Sequence, residues 1–295
     1  MTTRLTLRIP TADGTELAGD LFAPAGRCHG SVLVASAMGV PRGYYTPFAS
    51  FLAEAGLRTL LFDYRGIGGS APRRLRGFEA RLADWADRDL PAAAAALREA
   101  GDEPLLYLGH SVGGQLFGLL RGLDVRAALF VGSQSGHWRH WPTWRGKLGI
   151  AAFFRILVPA FAVPLGYLPM RALGLGEDLP AGVALEWACW GRERDYVLGW
   201  ARRERGVEHF DFRRPMRFCA VEDDRFAPPA AVEALRAFFP RARAETRLWR
   251  PADLGVPRIG HFGPFRPAFR DSLWVEMRDW LLARAAGVEI GAAIG

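Results

Sequence analysis

A serine stands between glycines in Gly109-His110-Ser111-Val112-Gly113. These residues follow the apolar run Pro104-Leu105-Leu106-Tyr107-Leu108 and lead into Gln115-Leu116-Phe117-Gly118-Leu119-Leu120, which can wind as a helix. A strand, a sharp turn and a helix with a serine at the apex strain the serine backbone and expose its hydroxyl, and glycines two residues to either side remove side chains that would collide there. Ser111 is therefore a candidate nucleophile. The competing reading is a glycine-rich turn whose serine only caps the helix.

A hydroxyl needs a base to become nucleophilic, and the base needs a third group to orient it. Met216-Arg217-Phe218-Cys219-Ala220-Val221 reads as a short buried strand, and Glu222-Asp223-Asp224-Arg225-Phe226-Ala227-Pro228 is the loop after it. Three adjacent acids compete there for one role. Ala244-Glu245-Thr246-Arg247-Leu248-Trp249 alternates as a strand does, and after a proline-bearing loop comes Ile259-Gly260-His261-Phe262-Gly263. His261 lies in a Gly-His-x-Gly turn with no helical or strand neighbour to bury it, so it is the natural base. His110, at the variable position of the serine turn, is read as structural. His137 and His140 have a spacing that suits a metal, but no carboxylate or cysteine lies nearby to complete a ligand set. They are taken with His29 and His209 as surface or packing residues. Cys28, Cys189 and Cys219 show neither C-x-x-C spacing nor an even count, so neither a disulfide framework nor a zinc site is expected.

From residue 31 onward strand and helix patterns alternate, which predicts a mostly parallel sheet with helices on both faces. Strands are expected at 31–36, 57–62, 104–108, 125–131, 216–221 and 244–249, and helices at 45–55, 80–100, 229–239 and 267–286. Residues 1–22 read as two strands around the turn Asp13-Gly14, with no apolar signal-peptide core, so a cytoplasmic protein is expected. The alternation stops over 133–215. The expected organisation is thus a core of 1–132 and 216–295, with 133–215 inserted after the sixth strand as a helical cap. That insertion holds six of the ten tryptophans, together with Phe153, Phe154, Phe161, Tyr167 and Tyr196. Such residues can line an apolar pocket for an acyl or alkyl group or pack cap helices on the body, and the sequence does not sort them. The stretch 148–170 is long and apolar, but Arg155 and prolines at 159, 164 and 169 argue against a stable membrane span.

At 295 residues with 50% hydrophobic content, the chain can bury one large core. The net charge of +7 rests almost wholly on arginine, since Lys147 is the sole lysine. Arginines are spread along the chain with acids between them, as in Arg192-Glu193-Arg194-Asp195, so a solvated surface rather than a nucleic-acid-binding face is expected.

With these elements in place, the chain resembles an α/β-hydrolase of the broad group that includes monoacylglycerol-lipase-like and serine-aminopeptidase-like enzymes, near an uncharacterised bacterial branch. The resemblance spans nearly the whole length. It includes Asp63-Tyr64-Arg65-Gly66-Ile67-Gly68-Gly69-Ser70, similar to the family's D-x-R-G-x-G-x-S turn, which shapes the site's edge rather than reacting. The family's order of nucleophile, acid and histidine implies Ser111, then an acid of the 222–224 loop, then His261. In the resembling families the acid sits four residues before a proline, which selects Asp224 by way of Pro228, with Asp223 as second choice. Where members often carry His-Gly after the third strand, this chain has Ser36-Ala37-Met38-Gly39. By position the oxyanion donors are the backbone N–H groups of Met38, with Ala37 as the alternative, and of Val112.

Together these residues imply a serine hydrolase acting on an ester or thioester with a hydrophobic moiety, through a Ser111-Asp224-His261 triad and an acyl-enzyme. It needs only protons and oriented dipoles, so no cofactor or metal is implied. The fold also hosts acyltransferases on the same triad and ligand-binding proteins with little turnover. The substrate and the oligomeric state are beyond the sequence.

Overall fold

The computed structural model describes residues 2–288. Its eight-stranded sheet runs in the order β1 (Thr3–Pro10), β2 (Glu16–Ala23), β4 (Leu57–Phe62), β3 (Gly30–Ala35), β5 (Leu105–His110), β6 (Ala127–Val131), β9 (Pro215–Val221), β10 (Arg243–Trp249). β1 pairs antiparallel with β2 and β2 with β4, whereas the remaining neighbours are parallel, so only β2 runs against the rest. A two-stranded hairpin of β7 (Tyr167–Leu168) and β8 (Leu179–Pro180), absent from the sequence expectation, lies in the segment between β6 and β9.

The central strands β3, β5 and β6 are buried along their whole length and are mostly apolar, because both faces are covered. Alternate residues go to opposite sides, as the pleat requires. Leu33, Tyr107 and Phe130 join one apolar cluster with Leu90, Leu116 and Val232, while Val34, Leu108 and Leu129 join another with Phe48, Trp274 and Leu281. The chain leaves β3 toward β4 on one side, then returns past it to β5 and proceeds through β6, β9 and β10 on the other. Loops after β3 and β5 therefore diverge, and a crevice opens at the carboxyl ends of these strands.

Helices expected at 80–100 and 267–286 form at 82–99 and 267–285, each with a π-helical turn, at Trp85–Asp89 and Arg270–Trp274. The helix Trp144–Leu165 runs through another, Phe153–Leu157, and continues past prolines that would ordinarily interrupt it. Pro91 and Pro159 each open the α-helical segment that follows such a turn. A residue without an N–H costs least there, and the wider turn makes room for its ring. The helix after Ser111 starts earlier than expected and is short, Val112–Phe117.

The 63–70 turn is a polar clamp. Arg65, nearly fully buried, donates through Nε to Asp89 at 2.7 Å and through Nη1 to Asp13 at 2.7 Å. Asp63 accepts from the backbone N–H of Arg42 at 2.6 Å and of Gly69 at 2.8 Å, and also pairs with the Arg42 guanidinium. Ser70 ties the turn to β2 by accepting from Ala18 N–H at 2.8 Å. Removing one member of a buried ion pair leaves a desolvated charge. Asp89→Ala should lower the unfolding free energy by about 3 kcal/mol or more, seen as a reduced urea midpoint, with a smaller loss for the half-exposed Asp13→Ala.

Candidate active site

Ser111 follows the last residue of β5 and has φ +52° and ψ −116°, a strained backbone for a residue with a side chain. It sits at the N-cap position of the 112–117 helix, yet its side chain makes no capping hydrogen bond. The helix-cap reading therefore fails. The turn is possible because a Cβ on Gly109 would lie 2.5 Å from the nitrogen of Gly114, and one on Gly113 would collide with the carbonyl of Ala35. The expectation that these glycines permit a close approach is thus met by particular atoms.

The 222–224 acids separate cleanly. Asp224 Oδ2 lies 2.6 Å from His261 Nδ1, and Asp224 Oδ1 accepts from the N–H groups of Phe226 and Ala227 at 2.8 and 2.9 Å. Asp223 instead accepts from the N–H groups of Ile259 and Gly260 at 3.1 and 2.9 Å, pinning the histidine loop without touching the ring. Glu222 pairs at the surface with Arg250. His261 and Ser111 are both buried and line one cavity of about 250 Å³. Among the described residues no hydrogen bond joins the Ser111 hydroxyl to His261 Nε2. In an unliganded site this contact is commonly long and tightens when substrate binds.

Ala37 and Met38 line the same cavity. The Ala37 N–H donates to Tyr45 Oη at 3.0 Å and is spent there, whereas among the described residues the N–H groups of Met38 and Val112 have no protein acceptor. Tyr45 Oη is in turn 2.7 Å from His110 Nδ1, and His110 Nε2 is 3.1 Å from the carbonyl oxygen of His261. One set of donors completes this chain: Ala37 N–H to Tyr45, Tyr45 O–H to His110 Nδ1, and His110 Nε2–H to His261 C=O. His110 is thus structural as expected, but its role is to join the loop after β3 to the histidine loop. No local pattern signals that role, because His110 is 65 residues from Tyr45 and 151 from His261 along the chain.

The aromatic residues of 133–215 divide. Trp141, Phe153, Phe154, Trp187 and Tyr196 line the cavity, Trp190 and Trp200 are buried, and Trp144 and Phe161 are exposed. Among the described residues Tyr196 is, with Ser111, a non-glycine residue of positive φ, +48°. Its hydroxyl donates to Gln115 Oε1 at 2.9 Å and accepts from Trp187 Nε1 at 2.8 Å, while Gln115 donates to Gln134 at 3.0 Å. This buried chain fastens segment 133–215 to the helix behind Ser111. His137 accepts from Arg139 N–H, and burial, then the neighbouring Arg139, brings its pKa down to about 4. Among the described residues, no group of three or more His, Cys, Asp or Glu is placed to hold a metal.

The sequence model of the Alpha/beta hydrolase family matches residues 28–281. The chain belongs to the alpha/beta hydrolase family. Among curated proteins no sequence matches it. Its fold is shared with an esterase of Pyrococcus furiosus at 16% identity and a TM-score of 0.60, over 95% of this chain and 91% of that one. It is also shared with a Thermogutta terrifontis esterase at 17% and 0.59, over 95% and 99%, and with a Paleococcus ferrophilus monoacylglycerol lipase at 15% and 0.57, over 96% and 99%.

In this alpha/beta hydrolase the His110 ring has its pKa driven well below 6.5, first by burial and then by repulsion from His261. The unfolded chain takes up a proton below pH about 6.5 that the folded chain refuses, so the contribution of the neutral ring is fully present above that pH and lost as pH falls. The loss approaches about 1.4 kcal/mol per pH unit for one such group. Urea unfolding between about pH 7.5 and 5 should therefore give a shallower stability slope for His110→Gln than for the wild type, with His137 supplying a residual slope in both.

Proposed function

We propose that the protein is a serine hydrolase cleaving esters or thioesters that carry a hydrophobic moiety. The observation that carries this reading is a strained Ser111 in the same cavity as a histidine whose far nitrogen is held by the buried carboxylate of Asp224. In this mechanism His261 takes the proton of Ser111 through Nε2 as the oxygen attacks the carbonyl carbon. Asp224 keeps Nδ1 protonated and stabilises the imidazolium. The N–H groups of Met38 and Val112 receive the charge that develops on the carbonyl oxygen, a donor of this kind being worth about 3 kcal/mol of barrier. The protonated His261 then releases the alcohol or thiol, and water, activated by the same ring, frees the acid from the acyl-enzyme.

Segment 133–215 acts in this proposal as a cap. It supplies an apolar wall, including Phe153, Phe154 and Trp187, that excludes water and receives the hydrophobic part of the substrate. The descriptions of the Pyrococcus and Thermogutta neighbours as esterases and of the Paleococcus neighbour as a monoacylglycerol lipase agree with ester chemistry.

A fluorophosphonate probe should label the protein stoichiometrically at Ser111 and leave Ser111→Ala unlabelled; a folded wild type that resists the probe refutes the proposal. Asp224→Asn should lower kcat by about 10⁴-fold by favouring the wrong imidazole tautomer, whereas Asp223→Asn should cost far less. With p-nitrophenyl esters, kcat/KM should rise with acyl length and fall for charged acyl groups. An added alcohol or amine that diverts the acyl group would identify transfer as the reaction instead.

A further inference from the structure

The insertion helix Trp144–Leu165 is 22 residues long and, by length and composition alone, could cross a membrane. Its two faces are unlike. Phe154, Val158 and Ala162, spaced four apart, are buried against the protein, and Gly149, Ile150, Phe153 and Phe154 form part of the cavity wall above Ser111. On the other side, Trp144, Leu148, Ile156 and Val163 are 69, 62, 66 and 67% exposed. With Phe161, this helix bears five of the nine large exposed apolar side chains found among the described residues. A soluble surface rarely gathers such residues on one element without a partner.

The charges on the helix select the partner. Arg145, Lys147 and Arg155 are its only charged residues, and it contains no aspartate or glutamate. Among the described residues none of the three forms an ion pair with a carboxylate. A second copy laid face to face on this stripe would bring like charges together, within a protein whose net charge is already +7. An anionic lipid surface offers both an apolar layer for the stripe and negative charge for its cations. A transmembrane placement is opposed by the inner face, which is committed to the cavity and the protein.

We propose that this helix lies in the plane of an anionic lipid surface, with its outer stripe immersed and its inner edge opening the cavity toward the lipid. Building on the hydrolase reading, this places the ester substrate in the membrane, entering from the lipid side. The docking itself needs no catalysis.

The test uses the full chain carrying Ser111→Ala, sedimented with vesicles of phosphatidylcholine alone or mixed in equal parts with phosphatidylglycerol. Binding is expected to the mixed vesicles, weakened by high salt. Leu148→Asp with Ile156→Asp should reduce it at least tenfold. Arg145→Gln with Lys147→Gln should reduce it by about thirtyfold, from roughly 1 kcal/mol per basic residue at the surface. On the Ser111 background, both double variants should hydrolyse p-nitrophenyl acetate at the wild-type rate, which confirms that they fold. Equal sedimentation of the parent and the aspartate variant overturns the proposal. So does ultracentrifugation showing a parent dimer that those aspartates convert to monomer. If vesicles bind but Ser111 resists the fluorophosphonate, the hydrolase reading falls and the docking stands.

Discussion

The positive φ of Ser111 is the constraint on which the rest of this molecule turns. A side chain in that backbone region costs on the order of 1–3 kcal/mol and persists only where its surroundings leave no alternative. Here they do so from every side. The Ser111 N–H donates to Val131 in β6 at 3.0 Å, Gly113 meets the carbonyl of Ala35 at the end of β3, and Gly114 faces Ser133 after β6. The strain is thus held by two neighbouring strands, and the parallel sheet that supplies them also aims the loops after β3, β9 and β10 at the same edge.

Around that turn the polar groups are arranged so that each has one use. Asp224 spends one carboxylate oxygen on its own loop and the other on His261, while Asp223 spends both on the backbone before His261. Ala37 gives its N–H to Tyr45, leaving Met38 facing the cavity. Buried polar groups are costly when unpaired, so a network in which each partner is specified also specifies the position of the loops that carry it. The Tyr45–His110 link joins the loop after β3 and the histidine loop through the strand that leads into Ser111. It lets a fully buried histidine stay neutral while holding two parts of the site in register.

The fold was legible because its signals are local. A strand such as Ala127–Val131 is an apolar run with both faces buried, and the glycines at 109 and 113 answer to a backbone geometry set within five residues. The signals failed where neighbours override local preference. Pro159 reads as a helix breaker, but a π-helical turn accommodates it and the helix continues to Leu165. The β7–β8 hairpin has only two residues per strand, too few for any periodicity to register.

The chain by itself determined the alternation of strand and helix, the turn that strains Ser111 and the glycine-flanked placement of His261, because backbone sterics and apolar periodicity act over a few residues. Composition and spacing left three consecutive carboxylates open and only the family resemblance favoured Asp224 and Met38; the tertiary structure is what puts Asp224 against the imidazole 37 residues away and gives the Ala37 amide to Tyr45. It also decided which aromatic residues of 133–215 face the cavity and which face outward. Those outcomes depend on angles and distances between segments far apart in sequence. Adjacent residues of the same type are equivalent until the fold gives each a different neighbour.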